Sequence, residues 1–93
     1  MKIEQLLEKK EQLQVLILRD MVLHGGTVGT NQLREQVNLS KTSFDQYIAE
    51  IPMIGMMMGK KVAIKRNEFQ VTLELAEDVS LEKIILFLVQ QSL

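Results

Sequence analysis

The sequence has no cysteine and no tryptophan, and it holds a single proline, histidine and tyrosine among 93 residues. Without cysteine there is no disulfide framework and no thiolate metal site. His24 alone cannot assemble a zinc centre, and no second titratable residue in the sequence pairs with it for acid–base work. No nucleophile–base constellation is present either, so a non-enzymatic protein with no cofactor and no metal is expected. The apolar runs are all too short to span a bilayer. The opening MKIEQLLEKKEQ carries acids and lacks an apolar centre, unlike a signal peptide. These absences predict a cytoplasmic protein without a membrane partner.

What is present suits one folded domain. The hydrophobic share of 46% is ordinary for a globular chain, and the length allows a modest core. Net charge is −1, but it is unevenly spread. Residues 30–66 hold six basic and three acidic side chains, net +3, while the remainder is net −4. A basic centre between acidic ends suits a domain that meets phosphate with its middle.

Residues 3–24 read as a helix, with Leu6, Leu13, Leu16, Ile17, Met21 and Leu23 near helical spacing. The polar run Glu8–Gln12 marks a bend or sets off a short first helix. Gly25-Gly26 ends the element, His24 stands at its C-terminus, and Thr27-Val28 has room only for a small strand.

The stretch TNQLREQVNLSKTSFDQYIAEI, residues 30–51, reads as two short helices joined by a tight turn. Thr30 is the expected N-cap of the first, and Leu33 and Val37 share a face. Asn38 can take the left-handed conformation that closes a helix, and Leu39 plugs the turn. Ser40 caps a second helix, residues 40–51, that stacks Phe44, Ile48 and Ile51 on one side. This is helix-turn-helix patterning, a shape that sets one helix into the major groove of double-stranded DNA. Pro52 is expected to end or kink that helix. In IPMIGMMMGKK, Met53, Ile54 and some of Met56–Met58 are expected to fill the gap to the next element.

Beyond it the period falls to two. Val62 and Ile64 alternate with Lys61, Ala63 and Lys65; Phe69, Val71, Leu73 and Leu75 alternate with Gln70, Thr72 and Glu74. That predicts a β-hairpin over 61–75 with one buried face, turning at Arg66-Asn67-Glu68, where Asn67 tolerates positive φ. Such a hairpin behind a helix-turn-helix is a wing. Asp78 or Ser80 starts a last helix, with Glu82 in its first turn. Leu81, Ile84, Ile85 and Leu88 form one face, with Leu86, Phe87 and Val89 on others. A helix apolar nearly all round asks for burial on every side, so residues 80–93 are expected to meet a second copy or a following domain.

The predicted architecture is α+β, mainly α: a winged helix-turn-helix domain over residues 1–79 with a three-helix core, a β-hairpin wing and the additional C-terminal helix. On a helical wheel Thr42, Gln46 and Ala49 oppose the buried face of the second helix, flanked by Ser43 and Asp45. Gln46 can bond an adenine edge twice, Thr42 and Ala49 can meet a thymine methyl, and Asp45 can accept from cytosine. Lys41 can swing to a phosphate. Thr30, Asn31 and Gln32 begin the preceding helix, a natural phosphate position, and Lys61, Lys65, Arg66 and Asn67 offer wing contacts. Asp45 and Glu50 repel phosphate, which predicts weak binding by the isolated domain and stronger binding by a dimer on paired half-sites. The competing expectation is a winged-helix module that binds protein, through the methionine segment or the last helix, without touching DNA.

Three segments resemble the N-terminal region of Mga-type transcriptional regulators, the M-protein trans-acting positive regulator family that includes AtxA. LLEKKEQLQVLILRDMVL is similar to their first helix. NQLREQVNLSKTSFDQYIAEI is similar to their helix-turn-helix pattern LaeeLnvSrrTlxxdIxxl, with Leu33, Val37, Leu39, Ser40, Phe44 and Ile48 at the apolar and cap positions. SLEKIILFLVQQSL is similar to the segment leading to a second DNA-binding module. The resemblance implies a DNA-binding part of a bacterial regulator, followed in such proteins by a second winged domain and phosphotransferase-regulated domains. DeoR-type and BglG-related regulators share the central pattern. Three residues depart from it: Arg34 where a small residue is usual, Asn38 in place of the turn glycine, and Pro52 in a stretch that often stays helical.

Overall fold

A computed structural model describes residues 6–92. The elements run α1 (Lys9–Leu23), β1 (Thr27–Gly29), α2 (Thr30–Val37), α3 (Lys41–Met58), β2 (Val62–Arg66), β3 (Gln70–Leu75) and α4 (Leu81–Ser92). The fold is α+β and mainly helical, with a three-stranded antiparallel sheet of order β1-β3-β2.

α1 begins at Lys9, so the polar run is its first turn; residues 3–5 of the expected helix lie outside the described residues. Its buried face is Gln14, Val15, Ile17, Leu18 and Met21, whereas Leu6, Leu16 and Leu23 remain exposed, contrary to the expected stripe. The run VLIL is apolar all round, so spacing alone leaves the phase open; the packing of α1 on α2, α3, α4 and β3 decides it. Gln14 can go inside because its amide donates to the Tyr47 carbonyl at 3.2 Å. At the far end Gly26 has φ +99, and its carbonyl accepts from Leu73 N at 2.7 Å. A Cβ there would stand 3.3 Å from the Leu73 carbonyl, so the close chain crossing and the left-handed backbone both ask for glycine.

β1 has a partner that the sequence did not suggest. It pairs with β3 through Thr27↔Thr72, Val28↔Val71 and Gly29↔Gln70. The Thr30 amide continues that ladder to the Phe69 carbonyl at 2.9 Å. The start of α2 is therefore tied to the tip of the β2–β3 hairpin. Gly29 is the N-cap of α2 and Thr30 is its first helical residue, which corrects the expected cap: the strand runs directly into the helix, and Thr30 already has helical backbone.

α3 is 18 residues long and passes through Pro52, against the expectation of a break there. Pro52 removes the donor for the Ile48 carbonyl, which costs about 3 kcal/mol in a helix interior. The continuation buries Ile54 and Gly55 in the core. Full burial of one aliphatic side chain contributes ~1.5–3 kcal/mol, so the extra turns offset the lost bond. Gly55 sets the approach to β2: a Cβ there would lie 2.6 Å from the Val62 Cβ. The helix closes at Gly59, φ +69.

The methionine segment fills less space than expected. Ile54 is buried and Met58 packs against the core, but Met53, Met56 and Met57 are 56%, 79% and 62% exposed. The hairpin forms as predicted, in the register Val62↔Leu75, Ile64↔Leu73 and Arg66↔Val71. Phe69 leaves its expected strand face and sits in the turn, 75% exposed. The turn is closed by Asn67 in another way than positive φ: its Oδ1 accepts from the amides of Phe69 and Gln70, each at 2.8 Å. That side-chain turn lifts Phe69 out of the ladder.

In α4, Ser80 accepts from Lys83 N at 3.3 Å as an N-terminal cap, while Asp78 pairs with Lys60. Ile84, Ile85, Leu88 and Val89 join the same core as α1, Leu81 and Phe87 are half-buried, and Leu86 is exposed. Val89 thus belongs to the buried face rather than off it. Among the described residues no helix is long and apolar enough to cross a membrane.

Candidate nucleic-acid interface

The α2–α3 junction is built as its residue types dictate. Asn38 takes φ 52, ψ 48, the left-handed pocket that ends α2. Leu39 packs on the core from the turn, and Ser40 Oγ accepts from Ser43 N at 3.2 Å to start α3. Phe44, Ile48 and Ile51 are buried, which leaves Thr42, Gln46 and Ala49 on the solvent side. Lys41 is exposed at the head of the helix, and Ser43 and Asp45 are half-buried on its flanks.

The hairpin tip meets this helix through one residue. Strand alternation turns Val62, Ile64 and Arg66 toward α3 and Lys61, Ala63 and Lys65 away from it. Arg66 Nη2 lies 3.0 Å from Asp45 Oδ1, and its guanidinium sits 5.8 Å from the centre of the Phe44 ring. Lys65 and Lys61 instead approach Glu74 on the other sheet face, at 3.2 and 4.0 Å. Of the four expected wing residues, Arg66 therefore reaches the helix and Lys61 and Lys65 do not, while Asn67 lines the neighbouring cleft from the turn.

Between the hairpin tip and the start of α2 lies a cleft of about 340 Å³. Thr30, Asn31, Lys41, Asp45, Arg66 and Asn67 line it, all from the sequence reading, together with Arg34 and Glu68. Gln32 is exposed on α2 outside the cleft. Arg34 was noted in the sequence only as a departure from a pattern. The spacing held the signal: Arg34 follows Thr30 by four and Asn31 by three, so all three share a helix face.

Asp45 and Glu50, the acids counted against phosphate in the sequence, are both paired, while a third acid, Glu68, lines the cleft itself. Asp45 holds Arg66, and Glu50 takes a 2.8 Å bond from Lys10 Nζ that bridges α1 and α3. The Lys10 ammonium keeps the Glu50 carboxyl below the usual glutamate range, with a smaller contribution from the Gln46 amide one turn away; burial works in the opposite direction. The same hydrogen bond raises Lys10 above the usual lysine range, again against burial. His24 lies away from this region, exposed at the end of α1 with Nδ1 2.8 Å from the Asp20 carbonyl. Among the described residues no group of three His, Cys, Asp or Glu side chains could hold a metal ion. No protein family, curated protein or solved structure matches the chain.

Proposed function

We propose that this chain is a winged helix-turn-helix DNA-binding domain, of the kind found at the N-terminus of Mga/AtxA-type transcriptional regulators. The reading is supported by element order: helix, strand, two helices and a hairpin, closing a sheet of order β1-β3-β2. The observation that carries it is the exposed face Thr42, Gln46 and Ala49 on α3, bordered on one side by the cationic cleft of α2 and the hairpin tip. In the proposed docking, the first half of α3 enters the major groove of a duplex. Gln46 reads a base edge, Thr42 and Ala49 touch neighbouring bases, and the cleft rests on the flanking backbone. The domain performs no chemistry and works in the cytoplasm, where the chromosome of a bacterium lies.

The test is duplex binding across a salt series. Affinity falls as salt rises, by roughly 0.9 logarithmic units per tenfold salt for each phosphate neutralised. Gln46→Ala changes base preference, while Arg66→Ala weakens every sequence alike. Equal, small effects of both on all duplexes would defeat this docking.

One observation favours a second reading. Met53, Met56 and Met57 are exposed and adaptable, and Met53 and Met57 lie beside Leu88 of α4, with Leu6 next to Met57. A protein-binding module would use that surface, or the exposed Leu86 of α4, to hold a second copy or a following domain. Binding that survives salt and is lost on changing Met53 and Met57 would favour it.

A further inference from the structure

We propose that the side of α4 beside the end of α3 pairs with the same surface of a second copy of this chain, the two α4 helices running antiparallel about a two-fold axis. The inference rests on the second reading above, that this surface holds protein, and deepens it by naming the partner. Two grooves lie there. One, of about 280 Å³, has Met58, Lys60, Asp78, Lys83, Leu86 and Phe87 in its lining. The other, of about 640 Å³, has Leu6, Glu8, Glu11, Met57, Leu88 and Gln91. Lys83, Phe87 and Gln91 are spaced four apart and form one row along α4. The first two line one groove and the third lines the other, so the grooves follow one another along the same side of the helix.

The ends of this surface carry opposite charge. The groove at the start of α4 holds two lysines against one aspartate, net +1. Lys60 takes the Asp78 carboxylate, while Lys83 Nζ donates to the Asp78 backbone carbonyl at 2.6 Å. The groove at the end of α4 holds Glu8 and Glu11 and, among the described residues, no cation, net −2. Lys10 beside it is held by Glu50. Lys83 and Gln91 are about 12 Å apart along the helix at 1.5 Å per residue. Leu86, 47% exposed, and Phe87 lie between them, and Met57 and Met58 flank the row from α3.

A surface with a cation at one end, acids at the other and an apolar middle complements itself when it is turned end for end. That is the operation of a two-fold axis across the helix. Lys83 of each copy then meets Glu8 and Glu11 of the other, and the apolar middles cover one another. A parallel pairing would set acids on acids and lysine on lysine. The methionines, being unbranched, adapt to the seam. Because α3 is one continuous helix from Lys41 to Met58, pairing through its far end also fixes the two reading edges relative to each other, as paired half-sites require.

The experiment is sedimentation of the full chain over a concentration series, without DNA. Wild type, Lys83→Glu, the double variant Glu8→Lys with Glu11→Lys, and a one-to-one mixture of the two variants are compared. Wild type should dimerise. Each variant alone should dimerise roughly 25-fold more weakly, about five-fold for each of the two like-charge contacts that the axis creates. The mixture should regain wild-type association, because both contacts again join opposite charges. Loss of folding in a variant would not be reversed by mixing. A mixture that stays monomeric, or variants that dimerise like wild type, overturns the antiparallel pairing. Wild type that stays monomeric across the series overturns the second copy as partner and leaves the second reading to a different protein. A dimer indifferent to the charge variants and to Leu86→Asp overturns both the pairing and that reading.

Discussion

The two halves of α3 share one exposed stripe and differ in its chemistry. Before Pro52 the stripe is Thr42, Gln46 and Ala49; after it, Met53, Met56 and Met57. At 1.5 Å per residue the helix is about 27 Å long, so its two halves meet different surroundings. The first half has the cationic start of α2 and the hairpin tip as neighbours, while Met57 of the second half lies beside Leu88 and Leu6. A single helix can thus offer a polar reading edge at one end and an adaptable apolar surface at the other. The buried side unites the two, through Phe44, Ile48, Ile51 and Ile54.

The comparison is broken most severely from within. Phe44→Ala removes the largest fully buried side chain and should cost ~3–5 kcal/mol, whereas Met57→Ala at the exposed stripe should stay within about 0.5 kcal/mol; urea unfolding of the two variants measures the contrast. Next is Gly55→Ala, which forces a methyl against Val62 and should cost ~1–3 kcal/mol, seen as a lower denaturation midpoint. Asn38→Ala strains the left-handed joint ahead of α3 and should destabilise by ~1 kcal/mol, while Asn38→Gly should be neutral or slightly stabilising.

The smallest effect belongs to the Lys10–Glu50 bridge near the middle of α3, a partly exposed pair expected to contribute ~1 kcal/mol or less. Glu50 titrates lower in the folded chain than in the unfolded one, so its contribution is present above the ordinary glutamate range and is lost as pH falls through the depressed value. Lys10 titrates higher when folded, so its contribution is full below the ordinary lysine range and is lost as pH rises through the raised value. Glu50→Gln should flatten both limbs of a stability-versus-pH curve and leave the plateau only slightly lower.

Much of the front half was legible in the sequence because its signals are local. Asn38 and Ser40 name their own turn and cap, and Phe44, Ile48 and Ile51 fix a helix phase by spacing. The period-two run at 62–75 gave the hairpin for the same reason. The rest depends on distant partners. Whether a helix survives Pro52 turns on what lies beneath Ile54 and Gly55. The phase of α1 turns on three helices packed around it, and β1 became a strand only because β3 passes beside it. Arg34 and Arg66 join one cleft because the Thr30 amide is tied to the Phe69 carbonyl, a contact between residues 39 apart in the chain. Phe69 was misread because period two continues across a turn that Asn67 closes with its side chain.

The most direct measurement is an amide and methyl NMR titration of the folded domain with a duplex at low salt. Perturbations centred on Thr42, Gln46, Asn31 and Arg66, with the Met53, Met56 and Met57 methyls unmoved, are the result this account predicts. Perturbations confined to those methyls and α4, or none on the first half of α3, would contradict it.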